Sequence, residues 1–168
     1  MNNHPTKIRQ HLERKARELG FVSFGIAAAD SLDEEAFRLR EYLNLNYHGE
    51  MGWMARNVQR RTDPRKVVPG AKSVIMVGYN YFSGRVTSDP AKAKISNYAW
   101  GDDYHDVVTP KVRELEQHLH ELADKEVRSR SYVDTGPIME KAWGARAGIG
   151  WIGKHTNLIH RKHGSWFF

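Results

Sequence analysis

The sequence predicts an α+β fold, a mixed sheet flanked by helices, from three observations. Apolar side chains recur at helical spacing in residues 7–19 and again in residues 106–123. Two short runs, residues 21–27 and 73–79, are rich in the β-branched and aromatic side chains that favour strands. Helices and strands do not alternate in the regular strand–helix–strand order of a parallel sheet, so the α+β class is favoured over α/β.

The first third of the chain predicts a helix, a strand and a second helix. The predicted helix at residues 7–19 is followed by Gly20, and glycine commonly terminates helices because it adopts positive φ at little cost. Residues 21–27 form the first predicted strand. The second helix is expected to begin at Ser31 or Asp33, since either side chain can accept a hydrogen bond from the first helical N–H groups.

The middle of the chain predicts loops around one buried strand. Residues 47–54 contain two glycines and predict a surface loop that runs into a short helix. Residues 57–66 form a basic connector whose Asp-Pro pair indicates a turn or a helix start. The continuous apolar run at 73–79 predicts a buried strand, and the polar residues 83–94 predict a loop before the long helix at 106–123.

The last third of the chain carries one acid, Asp134, from a short predicted strand at residues 132–133 into a Gly-Pro turn. A helix at residues 139–147 follows. A hairpin-like pair is then predicted for residues 152–159 and 165–168. Because the final Ser-Trp-Phe-Phe resembles the middle of a strand, we expect residues 1–168 to be one domain cut from a longer protein.

Length and composition are those of an ordinary soluble domain. Of the 168 residues, 40% are hydrophobic and 27% are charged, which suits one domain with a proper core. Neither a membrane-spanning apolar run nor an apolar secretory segment is present in the sequence, so we expect no membrane partner and a cytoplasmic location. The absence of cysteine excludes disulfides, thiolate metal ligands and cysteine nucleophiles within these residues.

The net charge of +6 indicates an anionic partner or substrate, although a merely soluble basic surface explains it about as well. Aromatic residues lie close in sequence to several of the basic residues, as on many RNA-binding surfaces. The charge therefore favours an RNA partner without proving one. The basic residues fall into three groups: Arg56, Arg60, Arg61, Arg65 and Lys66; Lys125, Arg128 and Arg130; Arg161 and Lys162.

The spacing Gly148-x-Gly150-x-x-Gly153 formally matches the dinucleotide-binding fingerprint. That fingerprint needs a strand before it and a helix after it, whereas here a predicted helix precedes and a strand-like run follows. We expect the glycines to end the helix, or to let the backbone approach a bulky planar ligand.

The histidines do not predict a metal site. Spacings of five and three residues on a strand and turn do not bring His155, His160 and His163 to one face, so solvated side chains are favoured. His105 lies at a helix entrance among aromatic residues, where a role in capping is the simplest interpretation.

Asp134 has two interpretations. An aspartate before Thr-Gly-Pro often forms an Asx turn, and the residues alone favour that role. A role as proton donor would require an apolar or ligand-covered surrounding. Lys141, seven residues further on, could hold an anionic or hydroxylated substrate two helical turns from the Asp134 turn.

Seven motifs, in order along nearly the whole chain, resemble the epoxyqueuosine reductase family. They are Tyr47-His-Gly-Glu-Met-Gly-Trp-Met, Arg61-x-Asp-Pro, Val68-Pro-Gly-Ala-Lys-Ser-Val-Ile75, Tyr98-Ala-x-Gly-x-Asp-Tyr-His105, Val133-Asp-x-x-Pro-Ile-x-Glu140, Ala147-Gly-x-Gly-Trp-Ile-Gly-Lys-His155 and Gly164-Ser-Trp-Phe-Phe168. Together these motifs are highly specific.

The resemblance implies a cobalamin-dependent oxidoreductase that reduces epoxyqueuosine to queuosine at the wobble position of tRNA with a GUN anticodon. It implies a monomer whose N-terminal domain is nitroreductase-like and holds base-off cobalamin. A ferredoxin-like domain with two 4Fe-4S clusters, fed by an electron donor protein, and helical repeats that help grip the tRNA are expected after residue 168. Since the cluster cysteines are missing, the 168 residues alone are expected to be inactive.

The resemblance also implies the site residues. Asp134 corresponds to the family's acid, which would protonate the epoxide oxygen. The candidates for cobalamin contact are Asn57, Asn97, Tyr98, Asp134, Gly153, Lys154, His155 and Thr156. The candidates for substrate contact are Tyr104, His105 and Lys141. The family commonly has arginine at the position of Lys141 and often at that of Asn97, so substrate contacts are expected to differ here.

Two other classes of function compete with this one. The chain could be a cobalamin-binding or trafficking module without its own chemistry, or a flavin-dependent relative of the nitroreductases. Adding hydroxocobalamin and recording the visible spectrum separates the cobalamin proteins from the flavin relative.

Overall fold

Two antiparallel strands lie at the centre of the computed structural model, which describes residues 4–85, 93–123 and 125–168. Strand β1 (Ser23–Ala28) pairs with β2 (Ser73–Gly78) in a register that runs from Ser23 opposite Gly78 to Ala28 opposite Ser73. Every strand pair in the described ranges is antiparallel, so the prediction of a mixed sheet is wrong there, although the α+β class is confirmed.

Two long helices cover one face of this strand pair. They are α1 (His4–Glu18) and α4 (Tyr104–Leu122), and both were predicted from their apolar spacing. The buried residues of this layer are Leu12, Ala16, Phe21, Val108 and Leu115, against which Phe24, Ile75 and Val77 of the strands pack. The amphipathic stripe of each helix is thus what joins it to the sheet.

A short helix, α5 (Glu140–Arg146), covers the opposite face. Trp143 is fully buried there and packs with Ala27, Leu32 and Ala142. Val74 and Met76 face this cluster while Ile75 and Val77 face the other, so β2 is apolar on both faces. A strand covered on both faces reads as a continuous apolar run, which explains the sequence pattern at 73–79.

Helix α2 (Asp33–Asn44) has Leu32 at its N-cap position, and neither Ser31 nor Asp33 occupies it as predicted. No side chain caps it, because Leu32 is fully buried in the core and the Ser31 hydroxyl donates to Asp33 Oδ1 instead. Three acidic residues in the first turn, Asp33, Glu34 and Glu35, interact favourably with the positive end of the helix dipole.

The connector between α2 and β2 has the predicted character. A 3-10 turn at Gly52–Ala55 follows the loop at 47–51, and α3 (Val58–Thr62) and a second 3-10 turn at Pro64–Lys66 follow in the basic connector. The Asp63 side chain accepts a hydrogen bond from Arg65 N and so caps the second turn. Residues 86–92 of the predicted loop at 83–94 lie outside the described residues.

Two expectations for the end of the chain are wrong. Strand β3 (Trp151–Ile152) pairs with β4 (Leu158–Ile159), but residues 165–168 do not join this hairpin. Phe168 N donates to Tyr79 O at 2.8 Å, so the last residues extend the ladder beyond β2. The predicted strand at 132–133 is absent, because those residues have no ladder partner.

Each helix in the described ranges is too short or too polar to cross a membrane.

Gly25 of β1 gives a test of the packing between the sheet and α5. A Cβ at this position would meet the carbonyl of Ala147 closer than van der Waals contact allows. We therefore expect Gly25→Ala to destabilise the fold by about 1–3 kcal/mol in urea unfolding, because the strand or helix must shift. Gly52→Ala is the matched control, since a Cβ there meets nothing within 4 Å; equal stability of the two variants would contradict the packing described.

Candidate active site

Asp134 lies on an exposed loop in a left-handed backbone conformation, with a φ of 56°. Aspartate tolerates this region better than most residues, so the position does not require glycine. Its backbone N–H donates to Glu140 Oε1 at 2.9 Å, and Glu140 is the first residue of α5. The buried helix therefore holds the loop through one side-chain oxygen.

The carboxylate of Asp134 is held by a side chain thirty residues away. The Tyr104 hydroxyl donates to Asp134 Oδ2 at 2.7 Å. The Tyr104 ring stacks on Phe168 with centroids 4.2 Å apart, and it contacts the His105 ring in a tilted arrangement with centroids 4.1 Å apart. Asp103 caps α4 by accepting from His105 N at 2.8 Å. The Tyr104 ring and the start of α4 are thus both fixed. The Asp134 carboxylate accepts a hydrogen bond from the Tyr104 hydroxyl and does not form an Asx turn.

Two pKa shifts follow from this arrangement. Burial, followed by the hydrogen bond to Asp134, raises the pKa of Tyr104, so its hydroxyl remains a donor at neutral pH. Burial also raises the pKa of Glu140 above its ordinary value, and the nearby Asp134 carboxylate raises it further, against the lowering by the Asp134 N–H bond. Two carboxyl groups and a neutral phenol therefore share this end of the site.

A cavity of about 170 Å³ opens beside Tyr104, and its walls are largely aromatic. Two of the candidates for cobalamin contact, Asn97 and Tyr98, line it together with Tyr81 and Phe168. The Tyr98 ring contacts both Tyr81 and Phe168 edge-on and is 51% exposed. The structure thus brings Asn97, Tyr98, Tyr104, His105 and Asp134 to one region.

Lys141 joins a different pair of elements. Its ammonium donates to Thr156 O at 3.1 Å and to Asn157 Oδ1 at 3.0 Å, so it ties α5 to the turn between β3 and β4. That turn contains the exposed residues Lys154 and His155, and Thr156 N donates to Gly153 O within it. Lys141 therefore positions the β3–β4 turn. The residue before it in α5, Glu140, positions Asp134.

The glycine run ends a helix and does not form a dinucleotide site. Helix α5 precedes it and a hairpin follows, which confirms that the fingerprint is in the wrong context. Gly148 has a φ of 79° and its N–H donates to Ala145 O, as in a helix C-cap. A Cβ on Gly150 would overlap the Ile159 carbonyl, so the close approach is between the two strands of the hairpin.

Asn57 is not among the residues that line the cavity. It has a φ of 58° and precedes α3, where its carbonyl accepts from Arg60 N and Arg61 N. Within the described residues no hydrogen bond connects it to Asp134 or to the β3–β4 turn. In the described ranges its hydrogen bonds therefore go to α3 and not to the other predicted site residues.

The histidines near the end of the chain do not form a metal site in the part of the chain that the structure describes, where no group of three or more potential ligands occurs. The rings of His160 and His163 stack at 4.8 Å, and burial lowers the pKa of His160. Both are half-buried, so the prediction of solvated side chains holds only for His155, which is exposed.

Two residues of the site were missed by sequence reasoning. Glu140 follows Asp134 by six residues at a helix start, a place where an acidic residue is expected for helix stability alone. Phe168 is far from Tyr104 in sequence, and nothing local indicates that their rings stack.

Known proteins resemble the chain in sequence and in fold. A family model described as "Epoxyqueuosine reductase QueG, DUF1730" matches residues 61–135. The epoxyqueuosine reductase of Leadbetterella byssophila is 49% identical over 153 residues, which covers 91% of this chain. The chain is thus similar to epoxyqueuosine reductases over nearly its whole length. It spans about half the length of the curated relatives it matches, 50% of the L. byssophila protein and 52% of the Cyclobacterium marinum protein.

Solved structures of the family have the same fold. An epoxyqueuosine reductase bound to an epoxyqueuosine-modified tRNA-Tyr stem loop superposes with a TM-score of 0.86 at 28% identity, covering 97% of this chain and 44% of that one. The Bacillus subtilis enzyme, whose structure has its catalytic aspartate loop swung out of the active site, superposes with a TM-score of 0.84 at 27% identity, with the same coverage.

Glu140→Gln tests the electrostatic interaction between Glu140 and Asp134. Glutamine keeps the side-chain oxygen that accepts from Asp134 N but cannot ionise. Because the folded state raises the pKa of Glu140 above 4.5, it holds the proton more tightly than the unfolded chain does. The stability from this proton is complete below the unfolded pKa and is lost as the pH rises through the folded pKa.

The expected result is that the Tm of Glu140→Gln rises relative to the parent protein between pH 4 and pH 8, measured by circular dichroism. Glu50→Gln removes the same charge from an exposed side chain and is the control. A difference in Tm between Glu140→Gln and the parent that does not change with pH would contradict the interpretation.

Proposed function

We propose that this chain forms the catalytic domain of a tRNA-modifying reductase, in which Asp134 protonates the epoxide oxygen of epoxyqueuosine during its reduction to queuosine. The observation that carries the proposal is the 2.7 Å hydrogen bond from Tyr104 to Asp134 beside an aromatic cavity. Support comes from the family relative with an epoxyqueuosine-modified tRNA stem loop and from the relative named for its catalytic aspartate loop.

We propose cobalamin as the cofactor, on the fit between its ring and this surface. A corrin presents a broad, largely apolar face with amide groups at its edge, so it needs exposed aromatic surface beside polar groups. Tyr98 and Trp166 are 51% and 42% exposed and lie around the Tyr81 ring next to the cavity. The residues proposed to hold the ring are Asn57, Asn97, Tyr98, Gly153, Lys154, His155 and Thr156.

Cobalamin, when bound, supplies the electrons that the epoxide accepts. The overall change adds two electrons and two protons, breaks both carbon–oxygen bonds of the epoxide and releases water. Asp134 supplies the proton that the epoxide oxygen needs when the first of these bonds breaks. Since Tyr104 donates to Oδ2, that oxygen is an acceptor, and the proton to be transferred is carried by Oδ1.

The other side chains of the site position substrate and acid. We propose that Tyr104 and His105 form the wall against which the modified base lies. Lys141 contributes through the third N–H of its ammonium, because two are used by the β3–β4 turn. Glu140 keeps the Asp134 loop in place through the backbone.

The electrons must enter from outside these 168 residues. The 168 residues contain no cysteine, and cysteine thiolates are the usual ligands of 4Fe-4S clusters. We therefore propose that two 4Fe-4S clusters belong to further sequence of the protein, which acts as a cytoplasmic monomer and receives electrons from a donor protein. The substrate is tRNA with a GUN anticodon. The 168 residues alone should bind cobalamin but not turn over with cluster-relayed donors.

Asp134→Asn in the full-length protein tests the acid. Asparagine can still accept from Tyr104 but cannot donate a carboxylic proton, so epoxide reduction should fall at least about 100-fold. The measurement is mass spectrometry of nucleosides from epoxyqueuosine-containing tRNA. The visible spectrum after addition of hydroxocobalamin should remain that of the parent protein.

Asp30→Asn is the matched control, since Asp30 is exposed and its carbonyl, not its carboxylate, accepts from Arg146. Undiminished reduction by Asp134→Asn would remove Asp134 from the chemistry. A failure of the parent protein to bind hydroxocobalamin would favour the flavin-dependent alternative.

A further inference from the structure

A second cavity, of about 460 Å³, shares none of its lining residues with the cavity beside Tyr104. One wall is the segment 67–69 that precedes β2, and the other is the segment 127–130 that follows α4. Glu116 and His120 of α4 lie between these walls. The surface is therefore a groove with polar groups inside and two arginines at its rim.

The segment that carries the arginines is anchored on its inner side. Ser131 Oγ donates to Glu116 Oε2 at 2.6 Å and Ser129 Oγ donates to Glu116 Oε1, while His120 Nε2 lies 2.8 Å from Ser129 Oγ. Ser129 and Ser131 are half-buried, whereas Arg128 and Arg130 are exposed. This alternation is the period of an extended chain, so both guanidinium groups point away from the serines.

The two arginines have their donors available. In residues 4–85, 93–123 and 125–168, neither Arg128 nor Arg130 makes a side-chain hydrogen bond or an ion pair. In an extended chain they lie about 6.6 Å apart, which is similar to the spacing of successive phosphates along a nucleic-acid strand. A guanidinium group binds phosphate through two parallel hydrogen bonds, so such a pair matches two neighbouring phosphates.

The groove is also close to the candidate acid. Arg130 and Asp134 are four residues apart, so their Cα atoms are separated by at most about 14 Å. An RNA strand held at Arg130 therefore passes within a few nucleotides of any nucleotide at Asp134.

We propose that Arg128 and Arg130 bind two successive backbone phosphates of the RNA whose modified nucleotide reaches Asp134. This inference rests on the proposed function and adds the surface that holds the substrate. An acidic protein would satisfy the charge of the two arginines, but it would not account for their regular spacing or their closeness to Asp134. The carboxylate of Glu116 is bound by two serine hydroxyls on the inner side of the segment, whereas the two exposed arginines lie on its outer side.

The test compares Arg128→Gln/Arg130→Gln with Arg40→Gln/Arg113→Gln in the full-length protein. Both double variants lose two positive charges, and the control changes exposed arginines on α2 and α4 outside the groove. The probe is an unmodified anticodon stem-loop RNA with a GUN anticodon, and the measurement is fluorescence anisotropy at several salt concentrations. Thermal melts by circular dichroism establish that each variant is folded.

The groove variant should bind the RNA about tenfold more weakly, while the control binds like the parent protein. Its slope of log affinity against log salt should be shallower by about 1.4–1.8, because each lost phosphate contact accounts for about 0.7–0.9. An affinity and slope equal to those of the parent protein would overturn the proposal and leave the proposed function intact. Unchanged RNA binding with slower reduction by a donor protein would mean a protein interface and also overturn it. If the parent protein itself does not bind the RNA, the proposed function fails first.

Discussion

The hydrogen bond from Tyr104 to Asp134 depends on most of the fold. It joins the first turn of α4 to the loop before α5, and the two helices α4 and α5 cover opposite faces of the β1–β2 pair. Its 2.7 Å length requires the register of both helices against the sheet to be correct. A shift of either helix by one residue would move the hydroxyl or the carboxylate by about 1.5 Å along the helix axis, which is enough to break the bond.

The supports on each side of this bond are different in kind. Tyr104 is held by ring stacking with Phe168, which in turn is fixed by backbone hydrogen bonds to Tyr79 beyond the end of β2. Asp134 is held by a backbone hydrogen bond to Glu140, whose helix is anchored by the fully buried Trp143. Asp134 and Thr135 stay exposed, whereas Val133 and Ile138 on either side pack against the two core clusters. The carboxylate is thus carried on a short exposed tip between two packed segments.

The sequence predicted the elements better than their pairing. The helical spacing of residues 7–19 and 106–123 located α1 and α4, and the apolar run at 73–79 located β2, because these patterns reflect burial of one face or of both. The partner of a strand is a long-range property, and so the mixed sheet and the strand at 132–133 were wrong. Pairing of the last residues with Tyr79–Tyr81 likewise could not be read from local spacing.

The same limit applied to the site. Asp134 in its Gly-Pro turn was visible as a candidate, but the residues alone favoured an Asx turn, since Tyr104 lies thirty positions earlier and Phe168 thirty-four positions later. The family resemblance supplied the list of candidate residues. The structure brings Asn97, Tyr98, Tyr104, His105 and Asp134 together. Lys141 binds the β3–β4 turn, and Asn57 lies at the start of α3.

A double-mutant cycle tests most directly whether Tyr104 acts through Asp134 as proton donor. The rate of epoxide reduction is measured for the full-length protein, for Tyr104→Phe, for Asp134→Asn and for both changes together. The hydrogen bond from Tyr104 strengthens as Asp134 gives up its proton and becomes charged, so its loss should slow the Tyr104→Phe protein by about 10- to 100-fold. The same change should cost almost nothing once Asp134 is asparagine. Multiplicative losses in the double variant would mean that the two residues act independently, which would contradict this account.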